Sequence, residues 1–184
     1  SQNAAGEYEI YEASELAWVA AQVNGTTRAT AQTFKGYTIQ LAKDIHLNGE
    51  LWNPIGATGL FEGTFDGNGH KIEGLFVFAK NRASAGLFAN CRGTIKNLTI
   101  NASGERAINV INGATNVIVE NVSATAANYT VNLAGSATNA VVTVKNSNLT
   151  GLNVVNVAAA GAKVTVTGGT LVCNDQTDVE SYAA

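Results

Sequence analysis

The sequence is poor in charge, holds a single proline and two cysteines, and contains no methionine. Charged residues make up 14% of its 184 residues and the net charge is −3, against a charged share of about 25% in an average domain. Such a chain offers no basic surface to a phosphate backbone, which excludes nucleic acid as the expected partner. No apolar run approaches the roughly 18 residues of a membrane-spanning helix, so we expect no transmembrane segment. With neither methionine nor a signal peptide, the chain is interpreted as processed or trimmed.

Hydrophobic residues, glycine and asparagine dominate what is present. Hydrophobic residues make up 46% of the chain, beside 19 glycines and 21 asparagines. A chain of this length and hydrophobicity is expected to fold as one domain, 1–184, around its own core. Glycine and asparagine tolerate a positive φ, so their abundance predicts many tight turns.

One segment, residues 11–25, has the pattern of a helix. Its apolar residues recur at helical spacing and form a single stripe: Leu16, Val19, Ala20 and Val23. Ser14 is the predicted N-cap, and Asn24 with Gly25 is the predicted C-terminal closure. After this segment, Val, Ile and Thr alternate with polar residues and Gly or Asn recurs every few positions, which predicts strands.

A repeat runs through the strand region. Short strings of an apolar residue, a polar residue and then Gly or Asn recur at spacings of 22–25 residues. Their third positions are Gly74, Asn97, Asn121, Asn146 and Gly168. One coil of a parallel β-helix has about this length, whereas the leucine pattern of leucine-rich repeats is absent. The sequence therefore predicts an all-β fold, a single-stranded parallel β-helix (a solenoid with coils of about 22–25 residues), with a capping α-helix at 14–24 over its N-terminal end.

The row of Gly and Asn is expected to mark one corner of successive coils. Only these two residue types occupy it, as a positive φ at a tight corner requires. The three Asn side chains can also hydrogen-bond along the axis as a ladder. A polar ridge that binds a ligand is the alternative interpretation of the same row.

Three regions follow from the repeat. The N-terminal cap and first coil span 10–60, the repeating coils span 61–173, and a polar, acidic tail spans 174–184. The tail either shields the last coil or marks a cut from a longer chain. Cys91 and Cys173 fall three or more coils apart, which is roughly 14 Å or more at about 4.8 Å per coil. A disulfide needs Cα atoms within about 7 Å, so we expect none between them.

Two stretches carry a family likeness. Residues 61–72, with the sequence FEGTFDGNGHKI, are followed by Gly74 and Leu75 and resemble the opening coil of right-handed parallel β-helix proteins. Residues 85–88, AGLF, together with 93–98, GTIKNL, resemble the GLUG motif of bacterial surface proteins. The resemblance implies that the coil is right-handed. It brings no catalytic residues with it.

The order of segments is similar to that of secreted or lipid-anchored proteins of gut Bacteroidota. The helix is followed by 41–45, LAKDI, then by 52–56, WNPIG, and then by the FDGNGH segment, so that the likeness covers roughly residues 10–100. This similarity implies a secreted or outer-surface location. A surface poor in charge and rich in Asn and Thr points the same way, because the charged residues between 107 and 172 are few: Glu120, Lys145 and Lys163.

Enzymes that cleave polysaccharides need clustered acids, and Asp is scarce in this chain. Asp44 and Asp66 are 22 residues apart, and His46 and His70 are 24 apart, so each pair is expected to face across adjacent coils. These four are weak catalytic candidates, and the alternative is that they are turn, strand-end and exposed residues. No nucleophile motif, phosphate-binding loop or metal-ligand spacing occurs, so neither a cofactor nor a metal is predicted.

Exposed aromatic side chains are the platforms on which carbohydrate rings stack. Trp18 and Trp52 are the weak ligand-binding candidates, followed by Tyr37 and Tyr129. Both tryptophans fall in the cap region, where sealing the first coil favours their burial.

We expect a non-enzymatic module of a secreted or cell-surface protein, used for adhesion or glycan contact. Its expected partner is a glycan or the surface of a host or neighbouring cell. Two alternatives stay open: a polysaccharide-degrading enzyme, lyase or hydrolase, built on the Asp and His candidates, and a structural spacer of a longer surface protein. The sequence does not fix the ligand or the oligomeric state.

Overall fold

The computed structural model of the chain describes residues 2–26, 30–77, 86–102, 106–110, 114 and 116–174. Strands make up 48% of the structure, and parallel sheets wind into a β-solenoid of about five turns with one short N-terminal helix. The predicted all-β parallel β-helix is thereby confirmed. The predicted tail at 174–184 lies outside the described residues, except for Asn174.

The described residues contain one helix and fourteen strands, numbered here in chain order. They are β1 (Tyr8–Ile10), α1 (Ala13–Asn24), β2 (Thr38–Leu41), β3 (Ile45–His46), β4 (Thr64–Asp66), β5 (Lys71–Leu75), β6 (Thr94–Lys96), β7 (Thr99–Ala102), β8 (Arg106–Val110), β9 (Val117–Glu120), β10 (Ser123–Thr125), β11 (Tyr129–Leu133), β12 (Val141–Gly151), β13 (Asn153–Val157) and β14 (Lys163–Cys173).

Each coil lays its strands over those of the coil before, in parallel pairs. β1, β2, β4, β6, β9 and the first half of β12 form one face, and β3, β5, β7, β10 and the second half of β12 form the next. β14 pairs with both halves of β12, and β8, β11 and β13 form a third face. Equivalent residues of successive coils therefore lie over one another.

Apolar residues at equivalent positions stack into columns that form the core. The column of the first face is Ile39, Phe65, Ile95, Val119, Val144 and Val166. The column of the second face is Ile45, Ile72, Ile100, Ala124, Leu149 and Leu171. Every member before β14 is at most 3% exposed, whereas the two members on β14 are 41% and 43% exposed. The last described coil therefore keeps its apolar residues partly in solvent.

The corner between the first two faces carries a row of residues with positive φ. Four members of the predicted row lie there: Asn97, Asn121, Asn146 and Gly168. Each directly follows residues that are paired in register. Asn121 Nδ2 donates to Asn97 Oδ1 at 3.1 Å, and Asn97 Nδ2 donates to Asp66 Oδ1 at 3.1 Å. This amide ladder therefore runs onto a carboxylate.

Gly74, the predicted first member of that row, lies elsewhere, and its assignment to the row is wrong. It sits within β5 on the second face, at a register shift between Ile72 and Leu75. The corner before β5 comprises 67–70, whereas the corresponding corner one coil later comprises only 97–98. The two extra residues displace the matching string from the corner to the following strand.

A second asparagine ladder, which the sequence did not predict, runs along the third face. Asn156 Nδ2 donates to Asn132 Oδ1 at 2.7 Å, and Asn132 Nδ2 donates to Asn109 Oδ1 at 2.5 Å. Asn109 and Asn132 are 0% and 1% exposed. Burying an amide costs free energy unless it is hydrogen-bonded, so the register of β8, β11 and β13 is what permits Asn here.

α1 packs its apolar stripe on the first coils. The stripe is at most 3% exposed and belongs to the main core cluster: Leu16, Val19, Ala20 and Val23. Gly25 closes the helix with φ +65°, as predicted. Ser14 is not the N-cap, because the helix begins at Ala13 after the extended Glu12, and Ser14 Oγ donates to Glu12 Oε1 at 2.9 Å.

Both cysteines are free thiols. Cys91 is fully buried, and burial raises the pKa of its thiol to about 12. Cys173 ends β14 and is exposed. The predicted absence of a disulfide between them agrees with the structure.

Val144→Ala and Val166→Ala test the column of the first face. The two residues are paired in register, but only Val144 is fully buried. Removing its methyl groups leaves a cavity, so V144A is expected to lower the free energy of unfolding by about 2–3 kcal/mol, and V166A by less than about 1 kcal/mol. Urea denaturation followed by circular dichroism measures both. Equal losses would contradict the difference in burial.

Asn132→Ala tests the buried ladder. The substitution removes a partner from both Asn109 and Asn156, so we expect a loss of about 2–3 kcal/mol in unfolding free energy. Asn156→Ala, at the half-buried end of the ladder, removes a single bond and is expected to cost about 1 kcal/mol. The same denaturation experiment compares the two. If N132A costs no more than N156A, the ladder does not stabilise the third face.

Candidate functional site

A cavity of about 470 Å³ opens at the N-terminal end of the solenoid, between β1 and the start of α1. Strand and helix contribute three lining residues each: Tyr8, Glu9, Ile10, Ser14, Glu15 and Trp18. We call this cavity the N-terminal pocket. Its volume falls within the range of about 300–1,000 Å³ that is typical of ligand sites.

The two elements position these side chains through their own packing. α1 turns its buried stripe to the core, so its other side faces outward. Ser14 and Trp18 are four residues apart and therefore lie on the same side of the helix. β1 is held in register against β2, and Ile10 anchors it in the core at 2% exposure. The pocket lies where the anchored strand meets the outer side of the helix.

Trp18 is the exposed aromatic residue of the pocket, with 44% of its surface accessible. Its ring centroid lies 6.3 Å from that of Tyr8 and 6.4 Å from that of Phe34. Tyr8 also contacts Phe34 at 5.5 Å and Tyr37 at 5.8 Å. We call these four residues the aromatic cluster. Because Phe34 is buried, the cluster fixes the orientation of Trp18 while one part of its ring stays in solvent.

Two carboxylates of the pocket are held by Tyr11. Its hydroxyl donates to Glu9 Oε2 at 3.1 Å, and its backbone N–H donates to Glu15 Oε2 at 2.6 Å. The hydrogen bond to Glu9 and the charge of Glu9 raise the pKa of the Tyr11 hydroxyl above its ordinary value. The bond to Glu15 satisfies a backbone N–H just before the helix, as the acid of a capping box does. Both carboxylates therefore have defined positions beside the cavity.

The remaining aromatic candidates have other surroundings. The sequence favours burial of both tryptophans, but the structure buries only Trp52, at 7% exposure. Trp52 Nε1 donates to the Leu87 carbonyl at 3.3 Å, which satisfies its one polar group. Tyr129 lies on the third face, where the guanidinium of Arg106 sits 5.8 Å from its ring centroid. Of the predicted candidates, only Trp18 lines the N-terminal pocket, while Tyr37 belongs to the aromatic cluster.

The two predicted catalytic histidines do not face each other. The strand register aligns His46 with Glu73, and His46 Nδ1 lies 3.1 Å from Glu73 Oε2. His70 Nδ1 lies 3.2 Å from Asp44 Oδ1. The expectation of a His–His pair is therefore wrong, because each histidine is next to an acid of the neighbouring coil.

Lys71 connects these two pairs into one network on the second face. Its Nζ lies 2.9 Å from Glu73 Oε1 and 4.0 Å from Asp44 Oδ2, and its backbone N–H donates to Asp44 Oδ1 at 3.2 Å. That backbone bond is the main reason why the pKa of Asp44 lies below its ordinary value, and His70 adds to the effect. A carboxyl group held in its ionised form is a poor general acid.

Asp66 belongs to a different set of contacts. The register aligns it with Gln40 and Lys96, so the expectation that it faces Asp44 is wrong. It accepts hydrogen bonds from the N–H of Asn68 at 2.8 Å and from the corner ladder, and it lies 3.0 Å from Lys96 Nζ. Burial raises the pKa of Asp66, but these donors outweigh it and hold the pKa below its ordinary value.

Sequence reasoning missed Tyr8, Glu9 and Glu15 as site residues. A signal for them is present, since the first 26 residues hold four glutamates and no Lys or Arg. In 7–11, EYEIY, acids and aromatic residues alternate beside the predicted helix. What the sequence did not reveal is that this strand lines a cavity together with the helix.

Within the described ranges, no three His, Cys, Asp or Glu side chains are close enough to form a metal site. No helix in that part of the chain is long and apolar enough to cross a membrane. Comparison of the chain with family models, with curated proteins and with solved structures finds no match. The function must therefore be argued from the N-terminal pocket itself.

Asp66→Asn tests the buried carboxylate through its pH dependence. Because the folded pKa of Asp66 lies below its unfolded value of about 3.9, the ionised group stabilises the fold above that pH. This contribution is lost as the pH falls toward the folded pKa. We expect wild type to exceed D66N in unfolding free energy at about pH 7, with the gap narrowing below about pH 4.

Urea denaturation at a series of pH values measures this gap. Asp44→Asn, at a carboxylate that is 43% exposed, is the control and is expected to change stability less, because exposed ion pairs contribute little. A gap for D66N that stays constant from neutral to acidic pH would contradict the depressed pKa.

Proposed function

We propose that the chain is a non-enzymatic β-helix module that contacts glycans through the N-terminal pocket. The observation that carries this proposal is the exposed face of Trp18, held in a fixed orientation by the aromatic cluster beside a cavity of about 470 Å³. A rigid aromatic face is the usual platform for the apolar face of a sugar ring, because stacking requires little further ordering on binding.

The polar groups of the pocket suit the same ligand. Glu9 and Glu15 are acceptors for sugar hydroxyls, and Ser14 supplies a hydroxyl that both donates and accepts. Tyr11 already orders the two carboxylates. A flat apolar surface with a few fixed polar groups at one side is the general composition of a small-ligand site.

A secreted or outer-surface location belongs to this proposal. It is supported by the charge-poor, Asn- and Thr-rich sequence and by the resemblance to GLUG-containing surface proteins and to secreted or lipid-anchored proteins of gut Bacteroidota. In such a location, adhesion to glycans of a host or neighbouring cell is the role that the pocket would serve. The ion-paired Asp44 and Asp66 give no specific reason to favour a polysaccharide-degrading enzyme.

Trp18→Ala is the decisive variant. Loss of the stacking platform is expected to weaken binding of the best ligand from a glycan array at least about tenfold, or about 1.4 kcal/mol. Phe76→Ala is the matched control, because Phe76 is also about as exposed as Trp18, at 43%, but does not line the pocket. Affinities are measured by isothermal titration calorimetry, with circular dichroism to establish that each variant is folded.

Reducing-sugar release is read from the same incubations. Release that depends on the protein would overturn the non-enzymatic proposal. A screen without any ligand, or binding that is unchanged in W18A, would overturn glycan contact at this pocket and favour a structural spacer.

A further inference from the structure

We infer that the N-terminal pocket selects a positively charged ligand, an amine-bearing saccharide, over neutral and acidic glycans. This inference rests on the proposed function and names the ligand class of the same site. Three features carry it: two fixed carboxylates, the lack of a basic partner for them, and an aromatic face next to them.

The N-terminal end of the molecule is acidic as a whole. The first 26 residues hold four glutamates and no Lys or Arg. Two of these acids, Glu9 and Glu15, line the cavity. The ion pairs found in the described part of the chain lie on the second face and between Lys96 and Asp66, and none includes either glutamate. The pocket therefore presents negative charge that no basic side chain is seen to neutralise.

The carboxylates keep acceptor capacity for a ligand. Within the described residues each accepts one hydrogen bond, on Oε2, from Tyr11, whereas an ionised carboxylate offers about four acceptor positions. An ammonium group carries three donors and no acceptor, so it suits two carboxylates better than a hydroxyl does. Charged donors also form stronger hydrogen bonds than neutral ones.

The aromatic residues add to the same preference. The rings of Tyr8 and Trp18 line the pocket with their centroids 6.3 Å apart. A cation over an aromatic face is attracted by the ring quadrupole, and Trp is the strongest partner. A protonated amino sugar thus gains from Trp18 twice, through stacking of its ring and through its charge. A uronate or sulfated sugar is repelled by the carboxylates, and an N-acetylated sugar lacks the charge.

The test uses two tetramers of equal length, β-1,4-linked glucosamine and its N-acetylated counterpart, with a tetramer of galacturonate as the acidic probe. Calorimetric titration of the wild type is expected to show at least about tenfold tighter binding of the glucosamine tetramer than of the N-acetylated one. This ratio is expected to fall as the salt concentration rises from about 20 to about 300 mM, because screening shortens the range of the attraction. No binding of the galacturonate tetramer is expected.

Substitutions locate the charge effect. Glu9→Gln and Glu15→Gln keep an acceptor for Tyr11 while removing the charge, and each is expected to lower the affinity ratio several-fold. The double variant is expected to bring the ratio close to one. Glu12→Gln is the matched control, because Glu12 lies in the same acidic segment but not in the lining of the pocket. Circular dichroism establishes that every variant is folded.

The outcomes separate this inference from the proposed function. Equal binding of the glucosamine and N-acetylglucosamine tetramers, both weakened in W18A, overturns the charge preference and leaves glycan contact standing. Preference for galacturonate overturns the inference as well. A ratio that E12Q lowers as much as E15Q assigns the effect to overall charge and not to the pocket. Binding of no glycan at all removes the proposed function and the inference with it.

Discussion

Backbone hydrogen bonding between successive coils is the constraint on which the rest of the structure depends. Each parallel pair fixes one residue over its equivalent in the next coil. Apolar residues therefore stack on apolar residues, as from Ile95 to Val144, and a buried Asn132 lies between two other asparagines that satisfy its amide. A side chain that is wrong for its column disturbs the coils on both sides, so the register restricts composition along the whole axis.

The pocket is a consequence of how such a stack begins. The first coil has no coil before it, and α1 covers it by turning its stripe inward, since exposed core would be unfavourable. The outer side of the same helix then stands beside β1, which brings Trp18 and Glu15 next to Tyr8 and Glu9. At the other end, Val166 and Leu171 on β14 stay partly in solvent. The helix thus gives one end of the solenoid a concave, aromatic and acidic surface.

The repeat predicted most of the fold because it reports a local requirement that recurs in each coil. Asn97, Asn121 and Asn146 occupy corners with positive φ, a backbone state visible in residue type alone. Gly74 was misplaced because a string of letters does not show that one corner is two residues longer. The same uncertainty of register explains the histidines: spacings near one coil suggested His46 beside His70, while the strands align His46 with Glu73.

The sequence by itself determined the fold class, the coil length, the helix with its buried stripe and the Gly and Asn corners, because each depends on periodicity or on the conformational preference of single residues. The tertiary structure alone decided which tryptophan is exposed, which acid each histidine contacts, and that Glu9 and Glu15 share a cavity with Trp18. Those properties depend on register and on how the helix is seated on the first coil. Both are set by contacts between residues distant in the chain, which no local pattern encodes.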